Sequence, residues 1–382
     1  MSFIVDAHQH FWRPGRGDYG WLRRDNAALY RDFLPEELAP HLIESGVRAT
    51  VLVQAAPTEA ETQFLLDLAA EYPFVAGVVG WCDFAARDSA ERMNALLSYG
   101  KGKLKGFRPM IQDIPDANWI ADASLDRAFD ELVASELVFD ALVKPVHLEA
   151  LLRRLDRHPR LRVVLDHCAK PDIAAGDFDA WARSIEQLAA VPNVWCKLSG
   201  LVTQAARTWS AADLRPYVIH VLRAFGPERV LWGSDWPVLN SVSDYKSWLR
   251  IARGLVSEFG EPYALGVFAS NAIRCYGLTL DAPGLLLLAP SDNVAVARVA
   301  IDAGSCHWLS CGLVRVRGAV PAGFKVAVRS IDSGEKIIKY GAEIGSATRP
   351  IPAGSVVHVD NMRSDYLPSH SREFSATERG ST

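Results

Sequence analysis

Up to about residue 278, short apolar runs alternate with longer amphipathic stretches, the pattern of βα units laid around a parallel sheet. The apolar runs span residues 3–7, 49–53, 74–80, 104–108, 138–143, 161–166, 194–198 and 229–233. Between them the spacing predicts helices over 35–45, 58–71, 89–99, 125–136, 148–157, 179–190, 211–225 and 244–258, with a further one over 262–276. Pro35 followed by Glu36 and Glu37 suits a first helical turn, where a fixed φ and negative charge both favour the helix. Eight strands each followed by a helix is the count of a (β/α)8 TIM barrel. An open doubly wound sheet is the alternative, but it usually has fewer strands and a glycine-rich loop after the first, and no such loop is present.

After Leu278 the pattern changes. From Gly284 to Met362 short β-branched runs are separated by turn signals at 290–293, 321–323, 332–334 and 352–354. This predicts a small all-β domain over 284–362. The Ser/Arg/Glu-rich segment 365–382 is expected to be a disordered tail.

Composition narrows the function classes. A chain of 382 residues is long enough for two domains. Its 49% hydrophobic and 23% charged residues are ordinary for a globular protein. Forty-one basic against forty-five acidic side chains give a net charge of −4, without the basic excess of a nucleic-acid binder. Apolar runs are too short for a membrane helix, and the first residues, MSFIVDAHQHF, carry no secretory signal pattern. Six scattered cysteines do not form a disulfide framework. A cytoplasmic location is expected.

In a barrel the chemistry sits at the C-terminal strand ends. The first strand ends in Asp6-Ala-His8-Gln-His10, and residues two apart in a strand point the same way, so both histidines can face the mouth. Two converging imidazoles suit a metal, an electrophilic clamp or a general base; a hydrogen-bonded structural pair is the plainer reading. Later strands end in Arg108, Lys144, Asp166-His167 with Lys170 just beyond, Lys197-Leu-Ser199-Gly200, and Gly233-Ser-Asp235-Trp236. Polar groups there should face a cleft, because burying them unpaired is costly. Arg108 and Lys197 could equally be ion-pair partners at the rim. Trp12, Trp21, Trp81, Trp119, Trp209 and Trp236 lie near loops, where indoles can stack on sugar C–H faces. Cys306, His307 and Cys311 lack the partners of a zinc knuckle.

The segments VDAHQHFW, VVGWCDF, GFRPMIQD, VFDALVKP, VVLDHCAKP, WCKLSGL, LWGSDWP and SNAIRCYGL resemble the lactonase branch of the amidohydrolase superfamily. That branch includes L-fucono-1,5-lactonases, L-rhamnono-lactonases and 2-pyrone-4,6-dicarboxylate lactonases. The resemblance covers residues 1–278 and implies a distorted (β/α)8 barrel that hydrolyses a lactone, with His8, His10, His167 and Asp235 as the active-site set. Asp235 is the expected general base. The histidines, or one metal they hold, would stabilise the oxyanion, and one of the same groups would protonate the departing ring oxygen. Arg108 and Lys197 would orient the substrate, and Trp12, Trp81 and Trp236 would line its pocket. A binuclear centre is not expected, because strand four offers Arg108 and strand five Lys144. One divalent ion such as zinc on His8, His10 and Asp235 and a metal-free site both stay open.

The segments 291–297, 320–345 and 351–361 resemble the small SAF-type (β-clip) domain of altronate and galactarate dehydratases, with Phe324 and Asp360 where that family commonly has histidines. The two resemblances together imply sugar-acid catabolism, with a small-molecule sugar lactone as substrate. A separate dehydratase large subunit and a homo-oligomer are the expected protein partners. A metal-dependent decarboxylase of the amidohydrolase type, or a scaffold subunit of a dehydratase, are the alternatives.

Overall fold

A computed structural model describes residues 3–280 and 284–365. The chain divides into two compact units, Met1–Asp281 and Ala282–Thr382. The tail expected from residue 365 onward falls, beyond Asp365, outside the described residues.

The first unit is an eight-stranded parallel sheet in sequential order. Its strands are β1 (Ile4–Gln9), β2 (Val47–Val53), β3 (Val75–Gly80), β4 (Leu104–Phe107), β5 (Val138–Ala141), β6 (Arg162–Leu165), β7 (Val194–Leu198) and β8 (Val230–Trp232). Almost every strand residue is buried, as expected where helices cover a parallel sheet on its outer side. The ends of β1 and β8 meet through a parallel bridge between Gln9 and Trp236, with Asp235 N donating to His8 O at 2.8 Å and His10 N to Trp236 O at 2.7 Å. Asp6 fastens this seam: its carboxylate accepts from the backbone of His8 and Ser234 and from the Tyr245 hydroxyl. The register between β1 and β2 slips between Asp6 and Gln9, a bulge that re-aims the side chains at the end of β1.

The outer helices are α1 (Pro35–Ser45), α2 (Glu59–Glu71), α3 (Ser89–Tyr99), α4 (Asp126–Ala134), α5 (Leu148–Arg157), α6 (Asp179–Ala189), α7 (Ala211–Phe225) and α8 (Tyr245–Ser257). Their ends follow local chemistry. Pro35 opens α1, and Gly46 closes it in the left-handed conformation. Thr58 and Asp244 accept backbone N–H bonds at the starts of α2 and α8, and Ser210 forms a capping box with Asp213.

The terminal helix expected over 262–276 is present as one continuous run with a wider turn inside it. Glu261–Leu265 and Asn271–Tyr276 are joined by that turn over Gly266–Ser270. The Asn271 amide donates to Pro227 O and Val230 O, and a Cβ on Gly266 would lie 2.1 Å from Pro227 O. The wider turn thus packs closely on the Pro227 carbonyl, where only a glycine fits. Cys275, Tyr276 and Leu278 then pack with Val5, Val51, Val138 and Leu231 from the strands.

The second unit consists of short antiparallel strands. Its apolar centres gather Leu285, Ala295, Val316 and Val326 in one group and Val294, Ile331, Ile337 and Ile351 in another. The Ile301–Val320 bridge recurs about thirty residues later as Ile331–Ile351. Among the described residues no helix is long and apolar enough to cross a membrane.

Candidate active site at the barrel mouth

Four side chains from three strand ends converge. His8 Nε2 lies 3.1 Å from His10 Nε2, and Asp235 Oδ1 stands 3.4 Å from His10 Nε2 and 3.7 Å from His8 Nε2. The His167 ring is 4.6 Å from that of His8, centroid to centroid. All four are buried.

Local backbone geometry brings His167 and Asp235 there. After β6 the residues His167, Cys168, Ala169 and Lys170 all have φ between 50° and 57°, and Asp235 has φ 59°. Non-glycine residues in the left-handed region cost roughly 1–2 kcal/mol each. Such strain clusters where a side chain must be aimed at a site. Gly200 makes room for the result, since a Cβ there would lie 2.4 Å from His167 Nδ1.

Beneath the mouth lies a buried charge network. Lys197 Nζ is 2.7 Å from Asp140 Oδ2 and 2.9 Å from Asp166 Oδ1, and 3.2 Å from His8 Nδ1. Tyr276 donates its hydroxyl to Asp140. Arg108 Nη1 reaches Asp166 Oδ2 at 3.1 Å, and its Nη2 donates to Gln54 O. Burial opposes the charge on Asp166, but Lys197, His8 and Arg108 outweigh it and hold the carboxyl well below the usual range. Burial pushes Asp140 up to about 6 despite Lys197. Lys197 is raised: burial works against its charge, and Asp140 and Asp166 overcome it.

Two of the site histidines are neutral at ordinary pH. Burial drives His8 well below its ordinary value and lowers His167 to about 4. Asp235 stays ionised: against burial, the adjacent His167, His10 and His8 rings hold it well below the usual carboxylate range.

The donor set fits a single divalent ion. Ligands about 2.0–2.1 Å from a tetrahedral zinc stand roughly 3.3 Å apart, and the separations among His8, His10 and Asp235 are 3.1, 3.4 and 3.7 Å. His8, His167 and Asp235 likewise each offer an atom within 4.8 Å of the others, the one such metal-capable group among the described residues. His10 directs Nδ1 at Val53 O, 2.8 Å away, which leaves its Nε2 bare. His167 Nδ1 sits 2.9 Å from Ser199 Oγ. His8 Nδ1 stands 3.2 Å from Lys197 Nζ and 3.4 Å from Asp166 Oδ1, and its Nε2, facing His10, also lies 3.4 Å from Arg108 Nη1.

A cavity of about 250 Å³ opens over this group, lined by His10, His167, Asp235, Arg108 and Lys170 together with Trp21, Gln112, Asp113, Thr203 and apolar neighbours. That is near the small end of the ~300–1,000 Å³ typical of small-molecule sites.

Several expected pocket residues stand elsewhere. Trp12 and Trp236 are buried in an edge-to-face cluster with Phe11 and Phe33, because the segment after β1 folds back and pairs Trp12 with Phe33. Trp81 is not among the lining residues; its backbone is tied to Thr62. Lys197 is fully buried and ion-paired, with Nζ 3.2 Å from His8 Nδ1, and is not among the residues that line the cavity. Lys144 also stays outside, where its N–H is capped by His147. Trp21, one of the tryptophans expected near loops, does line the cavity; Gln112, Asp113 and Thr203 were not expected there, and Asp140 was not expected at all. A lone aspartate inside the apolar run VFDALV was the available signal for Asp140, since an unpaired buried carboxylate is costly.

An eight-stranded parallel barrel with imidazoles and an ionised carboxylate converging at the strand ends defines a barrel enzyme of the hydrolase class. A family model described as amidohydrolase matches residues 5–278, and the chain belongs to that family. A second model, the altronate/galactarate dehydratase SAF domain, matches residues 283–365. The L-fucono-1,5-lactonase of Burkholderia ambifaria is 45% identical over 287 residues, covering 74% of this chain and 98% of that protein. The L-fucono-1,5-lactonase of Burkholderia multivorans is 37% identical over 286 residues, covering 72% of this chain and 96% of that one. A solved amidohydrolase from Burkholderia multivorans with bound zinc superposes with a TM-score of 0.67 at 37% identity, covering 72% of this chain and 100% of that one.

Proposed function

We propose that this chain hydrolyses a sugar lactone, an aldono-lactone such as L-fucono- or L-rhamnono-lactone, to the open sugar acid. The observation that carries the reading is Asp235, a carboxylate kept ionised among three imidazoles and open to a cavity of small-molecule size. The two Burkholderia relatives are L-fucono-1,5-lactonases, which supports the same substrate class.

In this mechanism Asp235 takes a proton from water as the water oxygen attacks the lactone carbonyl carbon. Arg108 lines the cavity and would place its positive charge beside the oxyanion or a substrate hydroxyl. Its Nη1 and Nη2 are committed to Asp166 and Gln54, which fixes the guanidinium. Trp21, held by its Nε1 on Ala55 O at 2.6 Å, supplies an aromatic wall. A divalent ion such as zinc, held by Asp235 with His8 and either His10 or His167, would polarise the carbonyl and acidify water when bound.

On this reading the second unit engages a sugar-acid dehydratase large subunit, the protein works in the cytoplasm, and self-association is to be checked alongside. The deciding experiment is indicator-monitored proton release from a panel of aldono-lactones by the native protein and Asp235→Asn. Rapid hydrolysis of at least one lactone, reduced about 10²-fold or more in the variant, is expected. Silence of the native protein across the panel overturns the substrate class, and near-native turnover by Asp235→Asn overturns the base.

A further inference from the structure

Opening a lactone needs an acid as well as a base, because the ring oxygen departs as an alkoxide unless a proton meets it. The histidines are poor candidates. His8 and His10 face each other through Nε2, His10 directs its Nδ1 at the Val53 carbonyl, and His167 Nδ1 is paired with Ser199 Oγ.

Lys170 is placed differently. It lines the same cavity as Asp235, at the end of the left-handed turn that begins with His167. Its own backbone, φ 50° and ψ 63°, is a costly conformation for a side chain with a Cβ. Its ammonium donates to the side-chain oxygen of Gln112, a neutral acceptor. Among the described residues no carboxylate stands within ion-pair distance of it, in contrast to Lys197 with its two. A half-buried lysine whose ammonium has one neutral partner keeps two of its three N–H donors for whatever fills the cavity.

We propose that Lys170 is the general acid of ring opening, giving its proton to the departing ring oxygen; this rests on the lactonase reading above. Asp235 takes one proton from water while the water oxygen bonds to the carbonyl carbon. As the tetrahedral intermediate collapses, the C–O ring bond breaks, its electron pair stays on the ring oxygen, and that oxygen takes a proton from Lys170 Nζ. The proton on Asp235 returns to Lys170 by way of solvent, and the new carboxylic acid releases its own. Lactone and water thus become a hydroxy-carboxylate and one proton, with both residues restored. Burial lowers the pKa of Lys170, with Asp235 opposing that shift and Arg108 adding to it, the direction that suits an amine to proton transfer near neutral pH.

The test varies the leaving group. An aldono-lactone expels an aliphatic alkoxide, whereas dihydrocoumarin expels a phenolate, whose conjugate acid resembles a tyrosine side chain with a pKa near ~10 and needs little help. Native protein, Lys170→Met and Lys170→Arg are assayed on both lactones, with Asp235→Asn as control. Lys170→Met should lose roughly 10²-fold or more on the aldono-lactone and under about tenfold on dihydrocoumarin. Lys170→Arg should not rescue, because a guanidinium keeps its proton. Asp235→Asn should fall on both substrates alike.

Equal losses on the two lactones in Lys170→Met, or restored aldono-lactone turnover in Lys170→Arg, overturn the acid assignment and leave the lactonase reading standing. If Lys170→Met does not fold, Lys170→Arg decides by the same two ratios. A native protein inactive on every aldono-lactone overturns both.

Discussion

The Nε2 atoms of His8 and His10 face each other at 3.1 Å, and His10 has already committed its other ring nitrogen to Val53 O. Two facing ring nitrogens repel unless a proton or a cation lies between them. With Asp235 adjacent, a divalent ion satisfies all three. One zinc per chain is therefore expected by elemental analysis after reconstitution. Ser199→Ala, which removes the partner of His167 Nδ1, should weaken binding about 10–100-fold if His167 is a ligand. Titration with a chromophoric chelator reads this directly. A stoichiometry of zero would mean that a proton, not a cation, lies between the two rings, and two would overturn the single-ion reading.

Lys197 separates a structural from a ligand-binding role. It carries two buried carboxylates, Asp140 and Asp166, and removing one partner of a buried ion network typically costs about 3–5 kcal/mol. Lys197→Met should therefore lower the urea midpoint sharply. Asp140→Asn in the same chain should recover part of the loss by removing one uncompensated charge. A variant of native stability with only a raised KM would return Lys197 to the substrate pocket.

Lys197 and Arg108 look alike in the sequence, each a basic residue at the end of an apolar run, yet only Arg108 lines the cavity. The eight strands were legible because parallel strands buried on both faces are written as unbroken apolar runs. The bounds of α1, α3, α5 and α7 fell where expected, two of them at a proline start and a capping box. His8, His10, His167 and Asp235 were legible as polar residues ending such runs. What was hidden depends on distant partners. Asp140 makes sense only beside Lys197 and Tyr276, and Trp12 is a wall of the fold only because Phe33 folds back onto it. The turn at 167–170 has no glycine to announce its left-handed backbone.

Gly200 tests that turn. A Cβ at this position would stand 2.4 Å from His167 Nδ1, on a backbone with φ +60°. Gly176 shares the left-handed backbone, φ +74°, with nothing within 4 Å. Both substitutions to Ala should cost roughly 1–2 kcal/mol through the backbone alone. Only Gly200→Ala should also displace His167, and a tenfold or larger fall in kcat is expected there. Parallel kinetics and denaturation of the two variants check it; matching activities would mean that His167 tolerates the shift.

Glu61 gives a pH signature away from the histidines. Its carboxylate accepts from Ala55 N and Ala56 N, fixing the loop whose Ala55 carbonyl holds Trp21. Burial nevertheless pushes its pKa up to about 8 from an ordinary 4.5, with those two N–H groups opposing the rise and Asp18 adding to it. The folded protein therefore binds this proton more tightly than the unfolded chain. The stabilisation is complete below about 4.5, shrinks as pH rises, and is lost once pH passes about 8. Glu61→Gln has no such proton to lose. Between about pH 5 and pH 8 the Tm of the native protein should fall relative to that of Glu61→Gln, as differential scanning calorimetry can measure. A Tm gap that stays constant with pH would show that Glu61 is already ionised in the folded loop, and that the two backbone N–H groups outweigh its burial.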